Sequence, residues 1–325
     1  MKIDPYLALL GGMVALAFLF PAEGAAHVAI EFGVDAAIFG LFFLYGARLR
    51  AREVLDAMRR YPPQLLMLLT TYLVFPLLGV LTAWLLGPVL EGPWKIGVLY
   101  LSVLPSTVQS SIAFTSIARG DVAAALSGAT ISNLLGVLLT PLLTSLVLGV
   151  GDNVPTNEGA VLAISLQILV PFGVGQLARP WLSELLEEKK LIVSWFDRGS
   201  ILLIVYSAFS EGARSGVFHD VSLLEIALLL LLSAVLLGIV LAFTFLVSRA
   251  LGLPRGEEIA VVFCGSKKSM ASGIPMAKVL FPASSLSAIV VPLMLFHQLQ
   301  LFVCAFIAQK YAERAEKAAS ETGSA

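Results

Sequence analysis

Apolar residues run along this chain in blocks of about twenty rather than alternating with polar ones, and short polar or Pro/Gly-containing stretches separate the blocks. Blocks of that length with few charges are what an α-helix needs to cross the hydrocarbon core of a bilayer. The pattern predicts ten spans, at 6–22, 29–47, 64–86, 95–118, 122–148, 160–178, 200–217, 222–247, 258–280 and 285–308. Two blocks, in corresponding places of the two halves, are interrupted in the middle. IGVLYLSVLPSTVQSSIAF (from Ile96) meets Pro105 and a run of hydroxyls, and IAVVFCGSKKSMASGIPMA (from Ile259) meets Gly265, two lysines, Gly273 and Pro275. Lipid offers no partner to the backbone groups that a break frees, so breaks persist only where they line a protein cavity. A matching pair of them points to the binding site of a secondary transporter.

Composition agrees. With 58% hydrophobic and 13% charged residues and a mean hydropathy of +0.92, an ordinary soluble domain is excluded. The net charge of −1 is uninformative, but its distribution is not. Placing the loop at 48–62, with Arg48, Arg50, Arg52, Arg59 and Arg60, in the cytoplasm puts all but five of the 21 Lys and Arg on that side. Lys95, Arg214 and Lys278 fall outside, and Lys267 and Lys268 lie within span nine. Both termini are then cytoplasmic.

Five spans per half is an odd number, so the second half enters from the opposite face and the halves are inverted repeats. The fold class expected is an all-α membrane protein of ten transmembrane helices. Residues 1–178 hold the first five-span repeat, 179–199 a cytoplasmic connector, 200–310 the remainder of the second repeat (which begins at span 160–178), and 311–325 a cytoplasmic tail. In the connector Trp181, Leu182, Leu185, Leu186, Ile192 and Trp195 stand among charges, as in an interfacial amphipathic helix. The tail has too little apolar surface to pack and is expected to be frayed or disordered. The segment from Tyr6 to Phe20 could pass for a signal peptide, but only Lys2 precedes it and nine apolar segments follow, so it is read as the first span.

The candidate chemistry gathers at the breaks. Pro105 removes a backbone donor and disfavours helix at Leu104, and Ser106, Thr107, Gln109, Ser110 and Ser111 then supply oxygens suited to a hard cation or a polar substrate group. The plainer role of such serines is close packing and bonding back onto their own helix. At the second break stand Ser266, Lys267, Lys268, Ser269 and Ser272. Lysines at this depth are costly unless they face water, an acid or an anion. Adjacent residues point about 100° apart on a helix, so the two are expected to differ in role; snorkelling to the cytoplasmic interface is the alternative.

Elsewhere, Glu211 is a candidate proton or charge partner, unless Arg214, one turn on, simply pairs with it. Asp35 is either a proton carrier or an interfacial residue. Ser127 and Thr130 share a helical face that could meet the first break, and Asn133 is either part of the site or interhelical glue. His297 and Gln298 occupy positions near that of Asn133 in the second repeat. Cys264 and Cys304 do not make a disulfide framework, and three scattered histidines do not make a metal cluster. RGD at 119–121 reads as a tight turn, and GARSG at 212–216 has its serine misplaced for a nucleophile elbow. No nucleophile–base pair, phosphate-binding loop or HExxH stands out, so no enzyme, no cofactor, no metal beyond Na⁺ and no nucleic-acid partner are expected.

PSTVQSSIAFTSIARGDVAAALSGATISNLLGVLLTPLL from Pro105 and FCGSKKSMASGIPMA from Phe263 resemble the bile acid:sodium symporter superfamily, in its divergent bacterial symporter-like branch, and the resemblance covers about 5–310. It implies a panel domain and a core domain, with spans four and nine crossing at their breaks. It also implies two Na⁺ behind the crossing, held by Ser and Asn after the first break and Glu and Gln at the second. Ser111 matches the serine, but Ile112 stands where Asn is expected, and Ser266, Lys267 and Lys268 stand in the region of Glu and Gln. Exchanging an acid for a lysine removes a cation ligand and supplies a positive charge. A lysine could thus take the place of one Na⁺, giving proton-coupled or uncoupled movement. The function implied is secondary active transport of a small organic anion across the lipid bilayer by alternating access, coupled to Na⁺ or H⁺. The alternative is a non-transporting membrane regulator or scaffold that retains the fold.

Overall fold

The computed structural model describes residues 5–48, 61–86, 90, 92–149, 158–215 and 222–322, and among them every regular element is a helix. In chain order these are α1 (Pro5–Leu19), α2 (Gly24–Arg48), α3 (Tyr61–Leu69), a π-helical turn (Thr70–Val74), α4 (Phe75–Leu85), α5 (Gly92–Val103), α6 (Gln109–Ile117), α7 (Val122–Gly149), α8 (Glu158–Glu188), α9 (Lys190–Ser215), α10 (Leu223–Ala250), α11 (Arg255–Gly265), α12 (Met270–Leu280) and α13 (Ala283–Thr322). Among the described residues six stretches are single helices long and apolar enough to cross a membrane: Gly24–Arg48, Pro62–Leu85, Val122–Gly149, Lys190–Arg214, Leu223–Ala250 and Ala283–Ala315. The two interrupted blocks are each a pair of short helices, α5 with α6 and α11 with α12, parted where Pro105 and the Ser266–Lys268 turn fall.

Two expectations about the polar segments change. The 179–199 stretch is not a separate element: α8 and α9 extend to meet at Lys189, whose N–H still bonds to the Leu185 carbonyl while its own carbonyl accepts from Val193. Trp181 and Trp195 remain exposed along it. The tail expected to lack order continues α13 as far as Thr322. Extending a formed helix through Ala, Glu, Lys and Arg needs no new nucleus, and Lys310 reaches Glu313 at 3.6 Å on the way.

The chain folds into two compact units that interleave along the sequence. One comprises 1–49, 148–222 and 271–291, the other 50–147, 223–270 and 292–325. In the first, α2 packs along α8 and α1 along α9. A Cβ on Gly46 would strike the Phe172 carbonyl and one on Gly175 the Phe43 carbonyl, so α2 and α8 touch backbone to backbone through these glycines. Within the same unit Arg48 of α2 makes a two-pronged bond to Asp197 of α9 at 2.9 and 3.0 Å. Glu31 of α2 binds Lys278 at 2.7 Å and accepts from the Ser207 hydroxyl. In the second unit, Leu66, Met67, Ala124, Ala125, Ala129, Ala260, Val261 and Cys264 form a core between α3, α7 and α11. Arg119 adopts φ 58° and the Asp121 carboxylate accepts from Ala124 N at 2.9 Å. The RGD is therefore a helix-to-helix turn that caps α7.

Candidate functional site

A helix that stops inside an apolar core leaves carbonyls that must find other partners. At and just beyond the end of α5 several of them do. The Val103 carbonyl accepts from Thr140 Oγ1 at 3.1 Å, the Pro105 carbonyl from Ser269 N at 2.8 Å, and the Ser106 carbonyl from Asn133 Nδ2 at 2.6 Å. Ser106 N–H donates to Ser132 Oγ at 3.0 Å. Tyr72 hydroxyl binds the Ser132 carbonyl, and a Cβ on Gly136 would lie 2.8 Å from Pro105, so α7 must stay bare there for the break to seat against it.

The carbonyls of the second break are satisfied by the first. Ser106 Oγ donates to Cys264 O at 2.5 Å and Ser111 Oγ to Phe263 O at 3.1 Å, while Ser266 Oγ bonds back to Val262 O at 2.6 Å. Gln300 of α13 then holds both ends of one peptide residue: Lys268 N donates to its Oε1 at 2.9 Å, and its Nε2 donates to Lys268 O at 3.0 Å. His297 Nδ1 lies 2.8 Å from the same Nε2. The two breaks are hydrogen-bonded to each other, and a polar side chain of a later helix bonds to each, Asn133 of α7 to the first and Gln300 of α13 to the second.

Both lysines sit where the two breaks meet, with no exposed surface, which removes the snorkelling alternative. Their surroundings differ, as their angular separation requires. Lys268 Nζ donates to Leu104 O at 2.7 Å, Ser102 O at 2.8 Å and Thr71 O at 2.9 Å. Three ammonium protons thus meet three carbonyls, with the Phe75 ring 4.2 Å away. Two of the carbonyls are freed by the break before Pro105; the third, of Thr71, lies in the π-helical turn at Thr70–Val74, whose i→i+5 register points it at Pro76, a residue with no N–H to give. Such a shell of backbone oxygens is one a bare monovalent cation would also accept. Lys267 Nζ instead lies 4.0 Å from the centre of the Phe114 ring and 5.5 Å from that of Phe263. It has no hydrogen-bond acceptor among the described residues. Neither lysine has a carboxylate partner among those residues.

Of the residues expected at the site, the structure brings together Ser106, Ser111, Asn133, Ser266, Lys267, Lys268 and Ser269. Thr107 hydroxyl pairs with Ser110 at 2.8 Å beside them. Gln109 is exposed and Thr130 half-buried. Ser127 is engaged with Gln64 at 2.9 Å, so Ser132 and Asn133, rather than Ser127 and Thr130, meet the break. Ser272 and Glu211 belong to the other unit, where Glu211 lies 3.7 Å from Arg214. Sequence reasoning passed over Thr71, Ser132 and Gln300. A polar Gln300 in an apolar run, two residues after Gln298, was the signal available for the last.

Residues 4–313 match the SBF-like CPA transporter family. The chain belongs to this family. Among curated relatives of this SBF-like protein, the putative symporter YfeH of Escherichia coli is 42% identical over 315 residues, covering 97% of this chain and 95% of that one. Uncharacterized protein PA2026 of Pseudomonas aeruginosa is 44% identical over 98% of this chain and 95% of its own. Sodium/bile acid cotransporter 7 of Mus musculus is 28% identical over 93% of this chain and 86% of its own. The SBF-like chain is thus an integral membrane protein of a transporter family, and the resemblance to the bile acid:sodium symporters holds along nearly its whole length.

Proposed function

We propose that the protein is a secondary active transporter that moves a small organic anion by alternating access, with Lys268 standing in the crossing as a tethered monovalent cation. The observation that carries this reading is the ammonium of Lys268 within three backbone carbonyls at 2.7–2.9 Å. A group held this way is saturated and fixed. Its neighbour Lys267, buried without an acceptor among the described residues, offers an amine whose charge an anionic substrate can meet. The symporter and cotransporter names of the relatives support coupled movement of an organic anion, with Na⁺ or H⁺ as the driving ion. If Lys268 holds the position of one coupling cation, the chain needs one Na⁺ fewer than a sodium-coupled relative, or none.

The finer architecture belongs to the same proposal: ten spans in two inverted five-span repeats, joined through 179–199, with both termini in the cytoplasm and the protein in the inner membrane. Packing within the first unit supports it. If α8 and α9 are the images of α1 and α2, then the pairs α2 with α8 and α1 with α9 are images of one another, as a two-fold axis demands. The separation of those helices from α3–α7 and α10–α11 into a different compact unit supports the panel-and-core division, and supplies the two bodies alternating access needs.

The test is uptake of labelled organic anions, a bile acid among them, into proteoliposomes under separate Na⁺ and pH gradients. Uptake that proceeds without Na⁺ supports the tethered cation. Uptake that requires Na⁺ at the same stoichiometry as a sodium-coupled relative overturns it. Failure of every anion under both gradients overturns transport itself, leaving a regulator or scaffold.

A further inference from the structure

Two helices of the second unit carry the same stripe at one end. On α13, Phe302, Phe306, Lys310 and Arg314 follow one another at four-residue steps, and on α10 so do Leu241, Phe245 and Arg249. Four-residue steps stack side chains on one helical face, so each stripe passes from aromatic to basic, with Leu241 ahead of the aromatic residue on α10. Phe302 and Phe306 are more than half exposed. Lys310 Nζ sits 5.4 Å from the Phe306 ring centre, and the Arg249 guanidinium 4.1 Å from that of Phe245. Between the stripes runs a groove of about 290 Å³, lined by Leu241, Phe245, Val262, Ile307, Lys310 and Arg314 among others. Its walls are hydrocarbon and its mouth is cationic. Arg255 stands 6.0 Å from the ring of Tyr311, which also lines the groove. Arg249 is committed to Glu258 at 3.1 Å and Lys310 lies 3.6 Å from Glu313, but Arg314 has no ion-pair partner among the described residues.

We propose that this groove binds one anionic phospholipid, its acyl chain along Leu241, Phe245 and the Phe302–Phe306 stripe and its phosphate at Lys310 and Arg314. Charge complementarity selects the occupant. A neutral lipid would satisfy the walls and leave the basic mouth unused, whereas a soluble anion would satisfy the mouth and leave the apolar walls in contact with water. The cations of the mouth are on the side that the proposed topology assigns to the cytoplasmic leaflet; only the name of the leaflet rests on that topology. An occupant would also lean on Tyr311, whose hydroxyl donates to buried Glu258 at 2.9 Å and whose ring stands 6.3 Å from that of Phe263 beside Lys267. The lipid would therefore brace the aromatic seat of the unpaired lysine.

The experiment measures thermal stability of the full-length protein in neutral detergent against added phosphatidylglycerol or phosphatidylcholine. The wild type is expected to be stabilised by phosphatidylglycerol at concentrations where phosphatidylcholine has no effect. K310Q/R314Q should need roughly twenty- to thirty-fold more phosphatidylglycerol, the weight of two interfacial cations. Ala242→Trp, which fills the groove from an exposed position and leaves every cation in place, should abolish the selective shift. K189Q/K190Q, which removes the same charge elsewhere, should leave it intact. An equal loss in K189Q/K190Q, a full response in A242W, or displacement of the lipid by millimolar inorganic phosphate would each overturn the proposal.

Discussion

Replacing each buried lysine in turn by methionine, an unbranched side chain one atom shorter and without the charge, should destabilise the protein at Lys268 but not at Lys267. Lys268→Met deletes three charge-assisted hydrogen bonds to Thr71, Ser102 and Leu104, each of net worth about 1.5–3 kcal/mol. Against that gross loss stands the relief of several kcal/mol from no longer desolvating an ammonium. The three carbonyls stay buried without a donor, so the balance is a destabilisation of about 2–4 kcal/mol. Lys267→Met deletes no hydrogen bond to a described residue and forfeits ring contacts with Phe114 and Phe263, worth about 1–2 kcal/mol when desolvated. Relief of desolvation equals or exceeds that, so this variant should be neutral or up to about 2 kcal/mol more stable. Both residues are wholly buried, so differences of burial do not account for the contrast. The assay is reversible denaturation or thermal unfolding of detergent-purified protein, the variants side by side. Equal destabilisation of both, or a Lys268→Met protein as stable as the wild type, would refute the assignment of the saturated site to Lys268 and the unsatisfied one to Lys267.

Further outcomes follow from the same contacts. Lys267→Gln should insert and fold normally yet lose most anion uptake in proteoliposomes, whereas near-normal uptake would show that its charge does not meet the substrate. Gln300→Ala, which strips both bonds from the Lys268 peptide group, should cost about 2–3 kcal/mol of unfolding free energy; Asn133→Ala, which frees one carbonyl, should cost about 1–2 kcal/mol. Glu31→Gln leaves Lys278, only 10% exposed in its side chain, without its counter-charge; a double-mutant cycle with Lys278→Met should return a coupling of about 1–3 kcal/mol. Gly46→Leu, driven into the Phe172 carbonyl, should prevent α2 from seating on α8 and be read as loss of folded protein on size-exclusion chromatography.

The places where the two helices break could be read from the chain because their causes are local: Pro105 removes a donor, and Gly265 with two lysines cannot continue an apolar span. The apolar blocks were equally plain, because lipid imposes one length on every helix that crosses it. What surrounds Lys268 was not legible. Its ligands are backbone carbonyls from Thr71, Ser102 and Leu104, more than 160 residues away in sequence, and a carbonyl carries no residue signature. The Thr71 carbonyl is left free because its i+5 residue in the π-helical turn of TTYLV is Pro76, which has no N–H, but nothing in the sequence says which group that carbonyl meets. Helical spacing ranked Thr130 above Ser132 because it fixes which residues share a face, not which face turns to the break. The acidic end of the Glu31–Lys278 pair was passed over for the same reason, since only the fold brings α2 to α12. The tail misled through composition: few apolar side chains argue against packing, but a helix already formed propagates without it.

The central claim is that Lys268 occupies the place of a coupling cation, and removing the side chain should therefore reopen that place. Equilibrium binding of ²²Na⁺ to purified wild type and Lys268→Ala tests this most directly, because the alanine leaves the three carbonyls and a vacant volume between them. The account predicts one more Na⁺ bound per chain in Lys268→Ala than in the wild type, with Na⁺ but not choline restoring its thermal stability. Identical Na⁺ binding by the two proteins, with both folded, would contradict it.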